Sequence, residues 1–99
     1  MYKVVILPLA KQDIKETKSW YESRSKGLGF KFLLNVKSKV NNIKDNPLSS
    51  NIRYDNIHTA VLDVFPFMIH YNVDMVDKII VIIAVLHTSL DSEKWESRK

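Results

Sequence analysis

Apolar positions along the chain repeat with two different periods, and the change between them divides it in half. Ala10, Ile14, Thr17 and Tyr21 fall on one face at steps of four, three and four, with Trp20 beside them and lysines opposite. That spacing predicts an amphipathic helix of roughly four turns. Tyr2 to Leu7, rich in β-branched and aromatic residues, predicts a strand ahead of it, stopped by a proline at position 8 that suits the first turn of a helix. Ser23 to Gly29 holds both glycines of the chain and reads as the helix cap and a connection. From Phe30 the pattern returns, with Phe32, Leu33, Val36, Val40 and Ile43 on one face of a second helix running to about Asp45. Asn46-Pro47 ends it, because a residue before proline is pushed out of the α region. Leu34 lies off the stripe, which points either to contact with something other than the core or to no contact at all.

The second half has period two. Ile52 to Ile57, Ala60 to Phe65, Phe67 to Val73 and Lys78 to His87 have strand composition and predict an antiparallel meander, with Pro66 at a bend or an edge. Asp91 to Trp95 carries an N-cap residue and an acid in the first turn, predicting a short terminal helix. Ile79 to Leu86 is apolar at every position, the pattern of a strand covered on both faces. It is expected at the centre of the sheet, with Ile79, Val81, Ile83, Val85 and His87 on one side and Ile80, Ile82, Ala84 and Leu86 on the other. Two helices cover one face, and a short tail covers only part of the second. Either the sheet coils tightly around its own second face or a partner supplies the missing surface, and a partner is the expectation, since large apolar patches are rarely left open on a monomer. The fold class is α+β: an N-terminal strand, an antiparallel helical hairpin, an antiparallel β-meander and a short C-terminal helix. Residues 1–99 make a single domain, as this length supports one core.

Charge sharpens the picture of the hairpin. The net charge is +4, but positions 11 to 44 carry nine basic against three acidic residues, a local +6 that leaves −2 for the remainder. This asymmetry points to an anionic partner or to a solvated lysine-rich surface. The absence of cysteine excludes disulfides and thiolate metal sites and fits a reducing cytoplasm, the expected location. The N-terminus lacks a signal-peptide pattern, and Ile79 to Leu86 is too short to span a bilayer.

Phosphate-loop, HExxH and GxSxG motifs are absent, and His58, His70 and His87 lack a metal-ligand spacing, so neither cofactor nor metal is expected. What remains on or near the meander is Arg53, Tyr54, His58, His70, Tyr71 and His87. A metal-free ribonuclease needs a base, an acid and cations that stabilise a charged phosphorane, and these residue types supply all three. The plain alternative is that His70, between Ile69 and Tyr71, is a packed strand residue and that Arg53 is a surface contact.

Several pieces occur together in a telling order: Ala10-x-x-Asp13-Ile14, Trp20-Tyr21, Gly29-x-x-Phe32, Asn46-Pro47, Phe65-Pro66-Phe67-x-Ile69-x-Tyr71, and Val85-Leu86-His87-Thr88-Ser89-x-Asp91 with Trp95 beyond. In order and spacing the chain resembles the RelE/ParE superfamily of type II toxin-antitoxin toxins, often labelled plasmid stabilisation proteins, over nearly its whole length. The resemblance implies the fold just read and a cognate antitoxin whose flexible segment wraps the toxin, in a toxin-antitoxin hetero-oligomer. Coupled folding of such a segment covers large surfaces.

Activities in the superfamily divide. RelE-like members cut messenger RNA in the ribosome with basic residues on the sheet and a late tyrosine or histidine, whereas ParE-like members inhibit DNA gyrase without a nuclease site. This chain has Leu90 where many relatives carry an arginine, Met68 at another such position, and no tyrosine after Tyr71, so only Arg53 and Lys78 remain of the cationic set. Each such donor is worth roughly 2.7 to 4 kcal/mol in comparable sites. The first expectation is thus a ParE-like toxin that inhibits growth by binding gyrase. The second is a ribosome-dependent endoribonuclease with His87 as acid or base and Arg53 as clamp, and the third a degenerate toxin that retains only antitoxin binding. Expected partner contacts are Trp20, Tyr21, Leu34, Met68, His70 and Trp95.

Overall fold

The computed structural model describes residues 1–50, 52–54 and 56–89. Five strands and two helices follow in the order β1 (Lys3–Ile6), α1 (Pro8–Arg24), α2 (Leu28–Asp45), β2 (Ile52–Tyr54), β3 (Ile57–Val61), β4 (Phe67–Asp74) and β5 (Ile79–His87). Pro8 takes the first helical position, where its missing N–H costs nothing, and Lys11 closes the first turn onto the Leu7 carbonyl. The predicted terminal helix lies outside the described residues.

The strands form one sheet in the order β1-β5-β4-β3-β2. β2 to β5 make the expected antiparallel meander, but β1 joins β5 in parallel, so the sheet is mixed, and the helical hairpin leads from β1 at one edge to β2 at the other. β4 is the middle strand; β5, expected there, lies between β1 and β4 and is interior all the same. The strand predicted over Ile52 to Ile57 is two strands, with Asn56 in the left-handed region (φ 64) between them. An asparagine tolerates that conformation. The strand predicted over Ala60 to Phe65 stops at Val61. Beyond it Leu62 donates to the Phe67 carbonyl and Phe67 to that of Phe65, a tight loop that turns the Leu62 and Phe65 side chains into the core.

Both helices pack on one face of the sheet. The core joins Ala10, Phe32, Val36 and Ile43 of the helices to Ile69 and Tyr71 of β4 and Ile80, Ile82 and Val85 of β5. At one end Tyr21 and Phe32 each meet Phe65 and Phe67, with ring centroids 4.8 to 6.1 Å apart, a range in which edge-to-face pairs add to simple burial.

The helical joint is short because Glu22 and two glycines make it. Gly27 caps α2 at φ 87, and Glu22 near the end of α1 accepts the N–H groups of Gly27 (2.9 Å) and Gly29 (3.0 Å). One carboxylate thus satisfies two amides at the start of the next helix, and these bonds hold its pKa below the ordinary carboxylate value. Gly29 lets the helices touch, since a Cβ there would sit 2.5 Å from the Lys18 carbonyl oxygen.

Candidate functional site

The sheet has one face under the helices and one away from them, and a bulge in β5 decides which residue goes where. Ile69 pairs with Val85 and His70 with Ala84, but Tyr71 pairs with Ile82, so Ile83 is an extra residue without a partner. Ile80 and Ile82 face the helices before the bulge, and Val85 after it. The strict alternation expected along this strand therefore fails at Ile83. His87 leaves the side of Ile79 and Val81 and comes to lie opposite Phe67, edge-on to its ring at 5.1 Å, at the helix-side end of the strand.

α1 holds the bulged strand from outside. Leu7 donates to the Ile82 carbonyl (3.0 Å), where β1 ends, and beyond it Asp13 Oδ2 takes the Val85 N–H (3.0 Å). Asp13, noted in the sequence only as part of a motif, thus does the work of a missing strand.

On the helix side, His58 stacks on Tyr71 with the rings 5.2 Å apart and inclined by 16°. The Tyr71 hydroxyl donates to the Pro47 carbonyl (3.0 Å), so the Ser50 hydroxyl donates to it (2.8 Å), while His58 Nδ1–H donates to the Ser50 carbonyl (2.7 Å). Burial pushes the Tyr71 phenol above its ordinary pKa, partly offset by the bond from Ser50. This network pins the loop after α2 to the sheet. On the other face, Tyr54 and His70 Nδ1 are in hydrogen-bond contact at 3.1 Å.

The titratable scatter of the sequence is therefore split, with His58, Tyr71 and His87 on one side of the sheet and Tyr54 and His70 on the other. His87 Nδ1 accepts both the amide (3.0 Å) and the hydroxyl (2.7 Å) of Ser89; since an amide can only donate, the ring proton of the neutral form sits on Nε2. Arg53 is exposed on β2, three strand spacings from β5, about 14 Å across the sheet. Through the pairs Ile52–His58, His58–Tyr71 and Tyr71–Ile82 it lies near the Ile82 level of β5, about 15 Å along the strand from His87. The two are not brought together.

The expected partner contacts also divide. Trp20 is half exposed, with the Arg24 guanidinium 4.6 Å over its ring, and Leu34 is exposed on a groove of ≈ 530 Å³ with Leu28, Lys31, Val64 and Phe65. Tyr21 is half-buried in the aromatic cluster, and burial raises its pKa. Met68 and His70 are 3% and 0% exposed, so in the free chain they are interior residues. Four consecutive buried positions, Met68 to Tyr71, show that both faces of β4 are covered there. Trp95 lies outside the described residues. The sequence did not single out a second cleft, ≈ 260 Å³, between the hairpin and β1, walled by Ile6, Ile14, Leu33, Val36 and Val40 with Lys37 at its mouth. Its only signal was the apolar stripe, which also reads as core. Among the described residues no group of three or more His, Asp or Glu is placed to hold a metal ion, and no helix is long and apolar enough to cross a membrane.

The sequence matches the family described as the ParE toxin of type II toxin-antitoxin systems, parDE, over residues 4–91. The chain belongs to this family. As a ParE-family toxin it is the toxin component of a type II toxin-antitoxin system, and membership implies a cognate antitoxin. Among solved structures, the toxin's fold is similar to a chain of the chromosomal ParDE system from P. aeruginosa (TM-score 0.65, 19% identity, covering 88% of this chain and 96% of that one). It is also similar to the isolated E. coli RelE toxin (TM-score 0.64, 11% identity, 98% and 95%). Curated proteins give no match.

Proposed function

We propose that this toxin is ParE-like in action as well as in family: it arrests growth in the cytoplasm by binding a DNA topoisomerase, gyrase, without nuclease chemistry, and its cognate antitoxin neutralises it. The observation that carries the reading is the separation of the groups a ribonuclease would have to converge on one phosphate. His87 sits at the helix-side end of β5, His70 is buried, and Arg53 is about 14 Å across and about 15 Å along the sheet from His87. General acid-base catalysis needs its groups within hydrogen-bond reach of the reacting atoms, and one phosphate does not span that gap. Inhibition by binding asks only for an exposed surface, and half-exposed Trp20 and exposed Leu34, Phe30 and Val64 offer one.

Purified toxin is expected to inhibit supercoiling by gyrase and to leave message intact on programmed ribosomes. Cleaved message with unimpaired supercoiling would overturn the reading in favour of a RelE-like ribonuclease. Expression without antitoxin is expected to stop growth; normal growth at verified protein levels would leave a chain that only binds its antitoxin.

A further inference from the structure

We propose that the outward side of the helical hairpin, where two rows of lysines face each other, binds the phosphate backbone of duplex DNA. The inference goes beyond the gyrase reading and leans on it only for the choice of DNA over RNA. Binding is measured on the toxin alone, so either can fail without the other.

The charge asymmetry of the chain takes a definite shape once the helices are placed. Lys11, Lys15 and Lys18, at steps of four and three, share one face of α1, and Lys37 and Lys44, seven apart, share one face of α2. Ile14 of α1 and Leu33, Val36 and Val40 of α2 meet along one groove. Lys11 and Lys18 flank Ile14 at three and four positions, and Lys37 and Lys44 flank Val40 likewise, so both rows border that groove. Four of the five lysines are exposed and Lys44 is half-buried, with Asp45 beside it. The Lys18 carbonyl lies against Gly29, which puts one end of the rows level with the start of α2. From there to Lys44 is about 22 Å at 1.5 Å per residue.

Little acidic charge answers them. Of the acids between positions 11 and 44, Asp13 accepts the Val85 amide, Glu22 accepts those of Gly27 and Gly29, and Glu16 accepts the Gln12 side chain. The ion pair found among the described residues joins Lys39 to Asp63, on the other flank of α2. Asn41, on the groove itself, adds a neutral donor of the kind that meets phosphate oxygens.

This arrangement selects the partner. A protein surface mixes signs, whereas a nucleic-acid strand repeats one charge at a fixed interval. Seven helical residues rise about 10.5 Å, close to three phosphate steps of about 3.4 Å along one strand of a duplex. That is the separation of Lys11 from Lys18 and of Lys37 from Lys44. The aliphatic floor suits lysine stems, which cover apolar surface while the ammonium group reaches out. DNA is also the substrate of a topoisomerase, so a toxin docked on that target meets it there.

The test is fluorescence anisotropy of a labelled duplex of about 30 base pairs, titrated with purified toxin between about 50 and 200 mM KCl. The logarithm of affinity is expected to fall against that of salt with a slope of about −4, as four to five phosphate contacts require. Lys15→Gln and Lys37→Gln are each expected to weaken binding about three- to fivefold at the lowest salt and to make the slope shallower by about one. Lys39→Gln removes the same charge from the other flank and is expected to leave the slope unchanged. Thermal unfolding confirms that each surface variant is folded. Absence of binding at the lowest salt overturns the proposal. So does an equal loss in Lys39→Gln, which would show an effect of net charge alone. Tighter binding of single-stranded RNA overturns it in favour of RNA, and displacement of the duplex by poly-glutamate at equal charge overturns it in favour of an acidic protein. A toxin that binds DNA through these lysines yet spares gyrase leaves the groove standing and removes the target.

Discussion

Asp13 shows how much a single side chain can carry in a fold of this size. Its carboxylate accepts the amide of Val85, 72 positions away, at the point where β5 has lost β1 as a neighbour. Val85 is buried, so Asp13→Ala strands a donor away from water and is expected to lower unfolding free energy by about 1–3 kcal/mol in urea denaturation. The two glycines make the complementary case. At Gly27 nothing lies within 4 Å of an added Cβ, and the constraint is the backbone at φ 87 alone. Gly27→Ala is expected to cost about 1–2 kcal/mol, most of it recovered in Gly27→Asn, which tolerates the left-handed region. At Gly29 the obstacle is the Lys18 carbonyl, so Ala and Asn should both destabilise, by about 1–3 kcal/mol. The sequence marked Asp13 and both glycines as features of a motif or a connection. It did not distinguish backbone need from close approach, because that difference is made by the other helix.

Each helix was legible because its buried stripe obeys one period over four turns or more, and Ala10, Phe32, Val36 and Ile43 all reach the core. The strands were less so. Ile52 to Ile57 reads as one strand although Asp55 and Asn56 interrupt it, and the chain turns at Asn56. The bulge at Ile83 left no trace in a run of residues that are all apolar. The joint between α1 and α2 yields the clearest pH dependence. Glu22 is held below its ordinary pKa by the amides of Gly27 and Gly29, so its contribution to stability is fully present above the unfolded carboxylate pKa and is lost as pH falls through the lowered folded value. Glu22→Gln is expected to flatten the acid limb of the stability curve in that window while leaving the limb above it parallel. Thermal unfolding followed between neutral pH and strong acid reads this directly; an unchanged acid limb would show that the carboxylate does not bear on the joint.

For the molecule as a whole, the question is whether the end of β5 is a reaction centre or a piece of scaffold, and the two answers differ by orders of magnitude in one experiment. His87 lies against Phe67, accepts Ser89, and precedes Thr88, whose amide donates to the Pro66 carbonyl (2.9 Å). These contacts tie the strand end to the loop that carries Phe65 into the aromatic cluster, a structural task that needs no proton transfer. Removing the ring should therefore loosen this corner by about 1 kcal/mol, within the ordinary range for a substitution at a partly buried site. It should leave the binding surfaces on the hairpin untouched. A general acid or base contributes about 10²–10⁴-fold to a rate, so the loss of a catalytic histidine would be unmistakable. His87→Ala is expected to inhibit gyrase supercoiling with a half-maximal concentration within about twofold of the unmodified toxin, well short of that scale. It should also arrest growth at the same protein level in cells lacking antitoxin. Circular dichroism and a thermal midpoint establish that the variant is folded at the assay temperature. A folded variant that has lost activity by about a hundredfold or more would show that His87 belongs to the toxic mechanism and not only to the scaffold.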